Sequence, residues 1–213
     1  MGGAHRTCAT QVSRRVGTAH VLLEKKTDTA KKMSTYRRSG TAGATYFFTV
    51  VTYQRRPFLC DPDVRAALRL AINHTRQTLP FTIDAWVLLP DHMHAIWSLP
   101  HGDAKFGKRW GMIKSQVSKA CRERFDHIDL MTPSKTKHRE STLWQRRFWE
   151  HQIRDETDFI NHMNYVHFNP VKHGLVQRAY DWPHSTFHRY VKQEVYPENW
   201  GQGIEILDQD FGE

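Results

Sequence analysis

The chain is poor in three features that would narrow its class at once. It holds only three cysteines, Cys8, Cys60 and Cys121, in 213 residues. Odd in number and widely spaced, they fit neither a disulfide framework nor a zinc motif and read as ordinary reduced thiols. Long apolar runs are missing as well: stretches such as AWVLLP at 85 to 90 fall far short of the roughly 20 residues a membrane-spanning helix needs, which points to a soluble protein without membrane contact. The opening MGGAHRTCATQVSRR lacks the apolar segment of a secretory signal, so the expected location is the cytoplasm. Nor does the chain show an internal repeat.

What it has in excess is positive charge. The formal net charge is +9, and the excess survives removal of the basic first 32 residues and the acidic last ten. Between 104 and 154 there are 13 Lys/Arg against five Asp/Glu, a patch that suits a polyanion and makes nucleic acid the expected partner. With 39% hydrophobic and 12% aromatic residues, the chain can form one well-packed domain plus ends. Residues 1 to 34 lack periodicity and finish in KKTDTAKKM, so they are expected to be a disordered basic extension, with Met33 a candidate for the true start. The expected organisation is that extension, a folded domain from 35 to 175, and a C-terminal tail from 176 to 213 packing on the domain or on DNA.

Within the folded part, ATYFFTVVTYQ at 44 to 54 is rich in β-branched and aromatic residues and predicts a strand. Asp61 as N-cap, Pro62 at the first helical position and apolar Val64, Leu68, Ala71 and Ile72 predict a helix from 62 to 79. FTIDAWVLLP and HMHAIWSL then predict an antiparallel hairpin turning at Pro90 and Asp91. Phe106, Trp110, Ile113, Val117 and Cys121 mark one side of a helix reaching about 125, with Lys108, Lys119 and Arg122 on another side. A polar loop is expected over 127 to 142, a strand over 143 to 153, and a helix from Asp155 to Pro170. The order β-α-β-β-α-β-α makes the fold class α+β: a ferredoxin-like antiparallel sheet with the two crossover helices on one face, plus a docked tail.

The chemistry concentrates in two places. On a strand, His92 and His94 share one face while Met93, Ala95, Trp97 and Leu99 share the other, so two imidazoles one pleat repeat apart could converge on a divalent ion. On the last helix, Phe159, Met163 and Val166 form the core stripe, whereas Tyr165 and Asn169 lie one turn apart on a flank with His162 nearby. Asn169 offers a carboxamide oxygen to complete a hard-cation site, and Tyr165 a phenol that could act as nucleophile toward a polarised phosphodiester. Each feature alone also has an ordinary structural explanation: histidines on a half-exposed strand, and an asparagine capping a helix before proline.

Together, His92-Met93-His94 and Tyr165-x-x-x-Asn169 resemble the HUH single-tyrosine transposases of the insertion-sequence type, and among them the REP-associated tyrosine transposases. The resemblance rests on GATYFFTVVTYQRRPF, AWVLLPDHMHAIWSLP, FWEHQIRDETDF, YVHFNPVKHGLV and DWPHSTFHRY in order, from 34 to about 200. It implies that His92 and His94 bind the divalent metal, Mg²⁺ or Mn²⁺, that Asn169 is the third ligand where the broader family usually has Gln, and that Tyr165 is the catalytic residue. It also implies single-stranded DNA with palindromic hairpins as substrate, and cleavage and rejoining through a 5′-phosphotyrosine link in the nucleoid-associated cytoplasm, by a monomer or a homodimer. Lys108, Lys119, Arg122, Arg146 and Arg147 are the candidates for phosphate contacts, and Trp182, Phe187 and Tyr190 for stacking on unpaired bases. Two other readings stand beside this one: a non-catalytic palindrome-binding regulator, and a replication or plasmid-relaxation nuclease of the HUH type.

Overall fold

The computed structural model describes residues 40–202, so expectations for the N-terminal extension, and for the tail beyond 202, lie outside the described residues. Four strands form one sheet in the order β2-β3-β1-β4, with β1 at Thr45–Val51, β2 at Thr82–Leu88, β3 at His92–Ser98 and β4 at Trp149–Gln152. Every neighbouring pair is antiparallel. Helix α1 (Pro62–Thr78) joins β1 to β2, and α2 (Phe106–Ala120) lies on the connection from β3 to β4. This is the expected α+β, ferredoxin-like arrangement.

The alternation of strand side chains splits the interior in two. Tyr46, Phe48 and Val50 of β1 and Met93, Ala95 and Trp97 of β3 pack under α1 and α2, where Trp97 stacks on Trp110 with ring centroids 4.2 Å apart. Phe47, Ala85, Val87 and Ile96 point the other way, into a second core beneath α5 (Glu156–Lys172) and the C-terminal segment. The crossover helices therefore share one face, and the last helix covers the opposite one. Because β3 is central and both faces are covered, its first six residues are all buried. Histidines on that strand are consequently interior groups.

Several boundaries differ from the expected ones for identifiable reasons. Strand β1 stops at Val51, not 54, because the chain enters a 3-10 turn at Tyr53–Arg55 in which Gln54 and Arg55 take left-handed backbone angles, φ of 56° and 51°. Strand β4 has four residues, not eleven: Leu143 and Trp144 leave the sheet for the first core, and Trp144 keeps only an isolated bridge to Thr52. The α2 pattern is interrupted at Cys121 before a further turn, α3 (Arg122–Phe125). The polar loop contains a 3-10 turn at Ile128–Leu130 and α4 (Pro133–Lys137), whose N-cap Thr132 accepts from the Lys135 N–H. Helix α5 runs past Pro170 to Lys172 and ends at Gly174, φ 65°, whose N–H donates to Val171 O while that of Leu175 donates to Pro170 O. That closing pattern, and not the proline, is the stop signal.

After Gly174 the chain crosses the second core and adds itself to the free edge of β2: Leu88 N–H donates to His184 O, and Thr186 N–H to Trp86 O. Helix α6 (Phe187–Lys192) follows. Phe187 is fully buried, the Trp182 indole donates to Leu88 O, and the Tyr190 hydroxyl donates to Asp84 O. These three aromatics hold the tail to the domain, the packing role that aromatic tails more often take. Burial pushes the Cys60 thiol up to about 11 and raises that of Cys121, as fits inert thiols. Among the described residues no helix is long and apolar enough to cross a membrane.

Candidate active site

The β2–β3 turn sets the first half of the site. Leu89 N–H donates to His92 O across a two-residue turn made by Pro90 and Asp91, so β3 begins at His92 itself. The period of two then sends His92 and His94 to the face under α5, both almost wholly buried, with 1% and 0% exposure. Each ring is fixed through Nδ1: that of His92 lies 2.6 Å from Asp91 Oδ1, and that of His94 lies 3.0 Å from the hydroxyl of Thr49, its register partner on β1. Such contacts fix the tautomer and turn Nε2 toward whatever the ring ligates.

Asp91 is itself anchored. Arg55, held in its left-handed turn, donates from Nη1 to Asp91 Oδ2 at 3.0 Å. Burial alone pushes the Asp91 carboxyl up, but hydrogen bonds from His92 and Arg55 and the charges beside them outweigh it, holding it at about 2. The strained turn, a cost on the order of 1 kcal/mol per residue, thus serves to place a cation behind the carboxylate that orients His92.

Helix α5 supplies the second half. Tyr165 is 3% exposed, and its ring centroid lies 5.2 Å from that of His94, whose own ring is 5.0 Å from that of His92. Asn169 follows one turn later, fully buried. Two exposed residues of the last turn complete the surroundings: Lys172 Nζ lies 5.0 Å above the Tyr165 ring, and the His173 ring is 5.0 Å from that of His92. His162, expected nearby, is instead engaged by Asp158, and the Phe47 ring stands between it and the site, 4.9 Å from His162 and 5.4 Å from His94.

The basic candidates do not converge here. Lys108, Lys119 and Arg122 are exposed on α2 and α3, across the sheet from the histidines. Arg146 pairs with Glu140 and Ser134, and Arg147 is exposed just ahead of β4, at the far edge of the sheet. A different basic surface lies along the β2 edge: a groove of about 510 Å³ lined by Arg65, Arg69 and Arg76 of α1, Trp86, His184 and Arg189, without an acidic side chain among its described lining residues. It extends from Thr82 to Leu88, toward the turn that carries Asp91 and His92. Its signal in the sequence was Arg65, Arg69 and Arg76 at helical spacing, outside the stretch where basic charge is densest.

Two imidazoles and a carboxamide oxygen could hold a divalent cation, and the imidazoles by themselves would favour a borderline ion, so the donor set alone does not select Mg²⁺ or Mn²⁺. The orienting contacts at both Nδ1 atoms fit such an ion. Residues 41–169 match the family model described as IS200-like transposase. The chain is 42% identical over 181 residues to the REP-associated tyrosine transposase of Escherichia coli K12, covering 85% of this chain and 98% of the relative. It is 44% identical over 176 residues to a Haemophilus influenzae protein that carries the same name provisionally, covering 79% and 94%. A solved structure of a REP-associated tyrosine transposase bound to a REP hairpin matches with a TM-score of 0.71 at 42% identity, over 85% of this chain and 98% of that one. The matched span takes in the sheet, the histidine pair, Tyr165 and Asn169, and the chain belongs to the REP-associated tyrosine transposases, DNA-cleaving enzymes of the IS200-like transposase family.

Proposed function

We propose that this transposase cleaves and rejoins single-stranded DNA at repetitive extragenic palindromic hairpins, with Tyr165 as nucleophile and a divalent ion, Mg²⁺ or Mn²⁺, held by His92, His94 and Asn169. The observation that carries the reading is the Tyr165 ring 5.2 Å from His94, beside two imidazoles already oriented through Nδ1 by Asp91 and Thr49. The solved hairpin complex of a relative supports the choice of substrate.

An ion held by His92, His94 and Asn169 would supply Lewis acidity to offset the charge that develops on the phosphate oxygens. The chain's own residues do the rest. A tyrosine phenol free in water loses its proton only near pH ~10, so attack at neutral pH needs help in losing the proton. The Lys172 ammonium, 5.0 Å from the centre of the Tyr165 ring, places a cation beside the position that the anionic strand would occupy, and the phenol proton passes to water. The Tyr165 oxygen forms the new bond to phosphorus, the bond to the 3′ oxygen breaks, and a 3′-hydroxyl is released. The phosphotyrosine link keeps the energy of the phosphodiester, so the same hydroxyl can return and rejoin the strands without ATP. Because Tyr165 is covered on its other sides, the strand enters past Lys172 and His173.

A denaturing gel tests the reading. Labelled single-stranded palindrome incubated with protein and Mn²⁺ is expected to give a shorter strand and a protein-linked one, both lost with EDTA. Hairpin binding without either product would leave a non-catalytic regulator. Asp91→Asn is expected to keep the fold but weaken Mn²⁺ binding by about 10- to 100-fold, because the amide orients the His92 ring less firmly; titration calorimetry reads this directly, and an unchanged affinity would remove Asp91 from the account.

The β2 groove, rather than α2, is where the hairpin backbone is expected to run. Replacing Arg65 and Arg69 together with Ala should weaken hairpin binding roughly tenfold at 0.1 M salt and flatten the slope of log affinity against log salt by about two. The same measurement on Lys108→Ala with Lys119→Ala should leave the slope unchanged. The opposite pattern would return the DNA track to α2.

A further inference from the structure

A second cluster of ligating side chains lies apart from the histidine pair, where the end of β4 meets the first turns of α5. His151 Nε2 lies 2.8 Å from Asp158 Oδ2, and His162 Nδ1 lies 3.0 Å from Asp158 Oδ1. The two imidazoles are stacked, ring centroids 4.6 Å apart and planes 11° apart, and His162 Nδ1, besides its approach to the carboxylate, lies 2.8 Å from the Asp158 backbone O. All three ligating atoms fall within 4.8 Å of one another. The side chains are 23%, 12% and 7% exposed for His151, Asp158 and His162, which leaves a side open to water.

We propose that His151, Asp158 and His162 form a second metal site, for a borderline divalent cation such as Zn²⁺, that ties β4 to the helix carrying Tyr165. Two imidazoles and one carboxylate with a water in the fourth position are a common zinc donor set, and neighbouring ligands around tetrahedral zinc stand about 3.3 Å apart at bond lengths of about 2.0 to 2.1 Å. The 2.8 Å separation runs to Oδ2 and the 3.0 Å separation to Oδ1, so each imidazole already lies near that spacing from one carboxylate oxygen, and a small rotation of the carboxylate would bring a single oxygen between them. Asp158 and His162 are one helical turn apart, and His151 comes from the adjoining strand, so binding would join two elements. Asp158 is independently placed: its Oδ2 accepts from the Arg154 backbone N–H and, at 3.2 Å, from the exposed Arg154 Nε that an ion would displace, and its own N–H donates to the N-cap Asp155. Ligation through His162 Nδ1 would shift that ring's proton to Nε2 and give up its contact with the Asp158 backbone O, and it requires no co-reactant. Imidazole donors favour Zn²⁺ or Co²⁺ here over Mg²⁺, which distinguishes this site from a Mg²⁺-using histidine pair.

The alternative occupant of this geometry is the proton: a hydrogen-bonded His-Asp-His cluster that binds nothing. Co²⁺ and Zn²⁺, added to protein stripped of metal, separate the two. The background is His92→Ala with His94→Ala, which removes ions bound at the other site and keeps this test independent of the proposed reaction. That protein is expected to bind about one equivalent of Co²⁺ with visible d–d absorption, and Zn²⁺ should displace the Co²⁺ and raise the melting temperature. His151→Gln in the same background keeps a donor to Asp158, and so the local fold, but should abolish the absorption and the thermal shift. Asp158→Asn should lower affinity by at least tenfold. No Co²⁺ absorption in the background protein, or absorption that survives both His151→Gln and Asp158→Asn, would overturn the proposal.

Discussion

Tyr165→Phe is expected to bind the hairpin as tightly as the wild type and to cleave it about 10⁴-fold more slowly or worse, with no covalent product. The change removes one oxygen from a side chain packed against Phe47 and His94, and the ring contacts with both remain. Stability should therefore move by less than about 1 kcal/mol. The kinetic loss is large because the phenol oxygen forms the bond to phosphorus and no neighbour replaces it; removing a nucleophile typically costs 10⁴- to 10⁶-fold. Lys172 and His173, both exposed beside the site, are other nucleophilic side chains there. If Tyr165→Phe retains covalent adduct, His173 or another residue carries the reaction and the assignment fails.

The second large effect is expected at the histidines. His94→Ala should reduce cleavage by about 10³-fold or more, a greater loss than the 10- to 100-fold typical of residues that only orient a ligand. His94 is fully buried between Thr49 and the Tyr165 ring, so truncation also leaves a cavity and some loss of stability. His94→Gln separates the causes: it fills more of the space and can still bond to Thr49 while removing the imidazole. If both variants lose cleavage but keep hairpin affinity and a melting temperature within a few degrees, the loss belongs to the site and not to the fold. Unchanged cleavage in His94→Gln would mean that the imidazole holds no ion.

How far these residues could be read from sequence follows from what each depends on. The placement of His92 and His94 on one face needed only strand periodicity and the Pro90-Asp91 turn. Tyr165 and Asn169 needed only helical spacing. That Tyr165 faces His94 depends on α5 covering the face of the sheet opposite α1 and α2, which the element order does not state and the family resemblance alone implied. The orienting partners were harder. Asp91 could have been suspected from adjacency to His92, but Thr49 reaches His94 only through the β1–β3 register, and Arg55 reaches Asp91 only through two left-handed residues that composition does not announce. The basic groove was missed because charge density drew attention to 104 to 154, whereas Arg65, Arg69 and Arg189 meet only when the tail folds back on β2. Strand β4 was overextended for a similar reason: LWQRRFWEHQI reads as one strand, yet Trp144 is drawn into the aromatic core first.

The central claim is that Tyr165 becomes covalently joined to DNA, and the adduct itself tests this most directly. Protein trapped on a labelled single-stranded palindrome with Mn²⁺, then digested with protease and nuclease, should yield one α5 peptide heavier by a nucleotide 5′-phosphate, with fragmentation placing the added mass on Tyr165. The same mass on any other residue, or a cleaved strand with no modified peptide, would contradict the account.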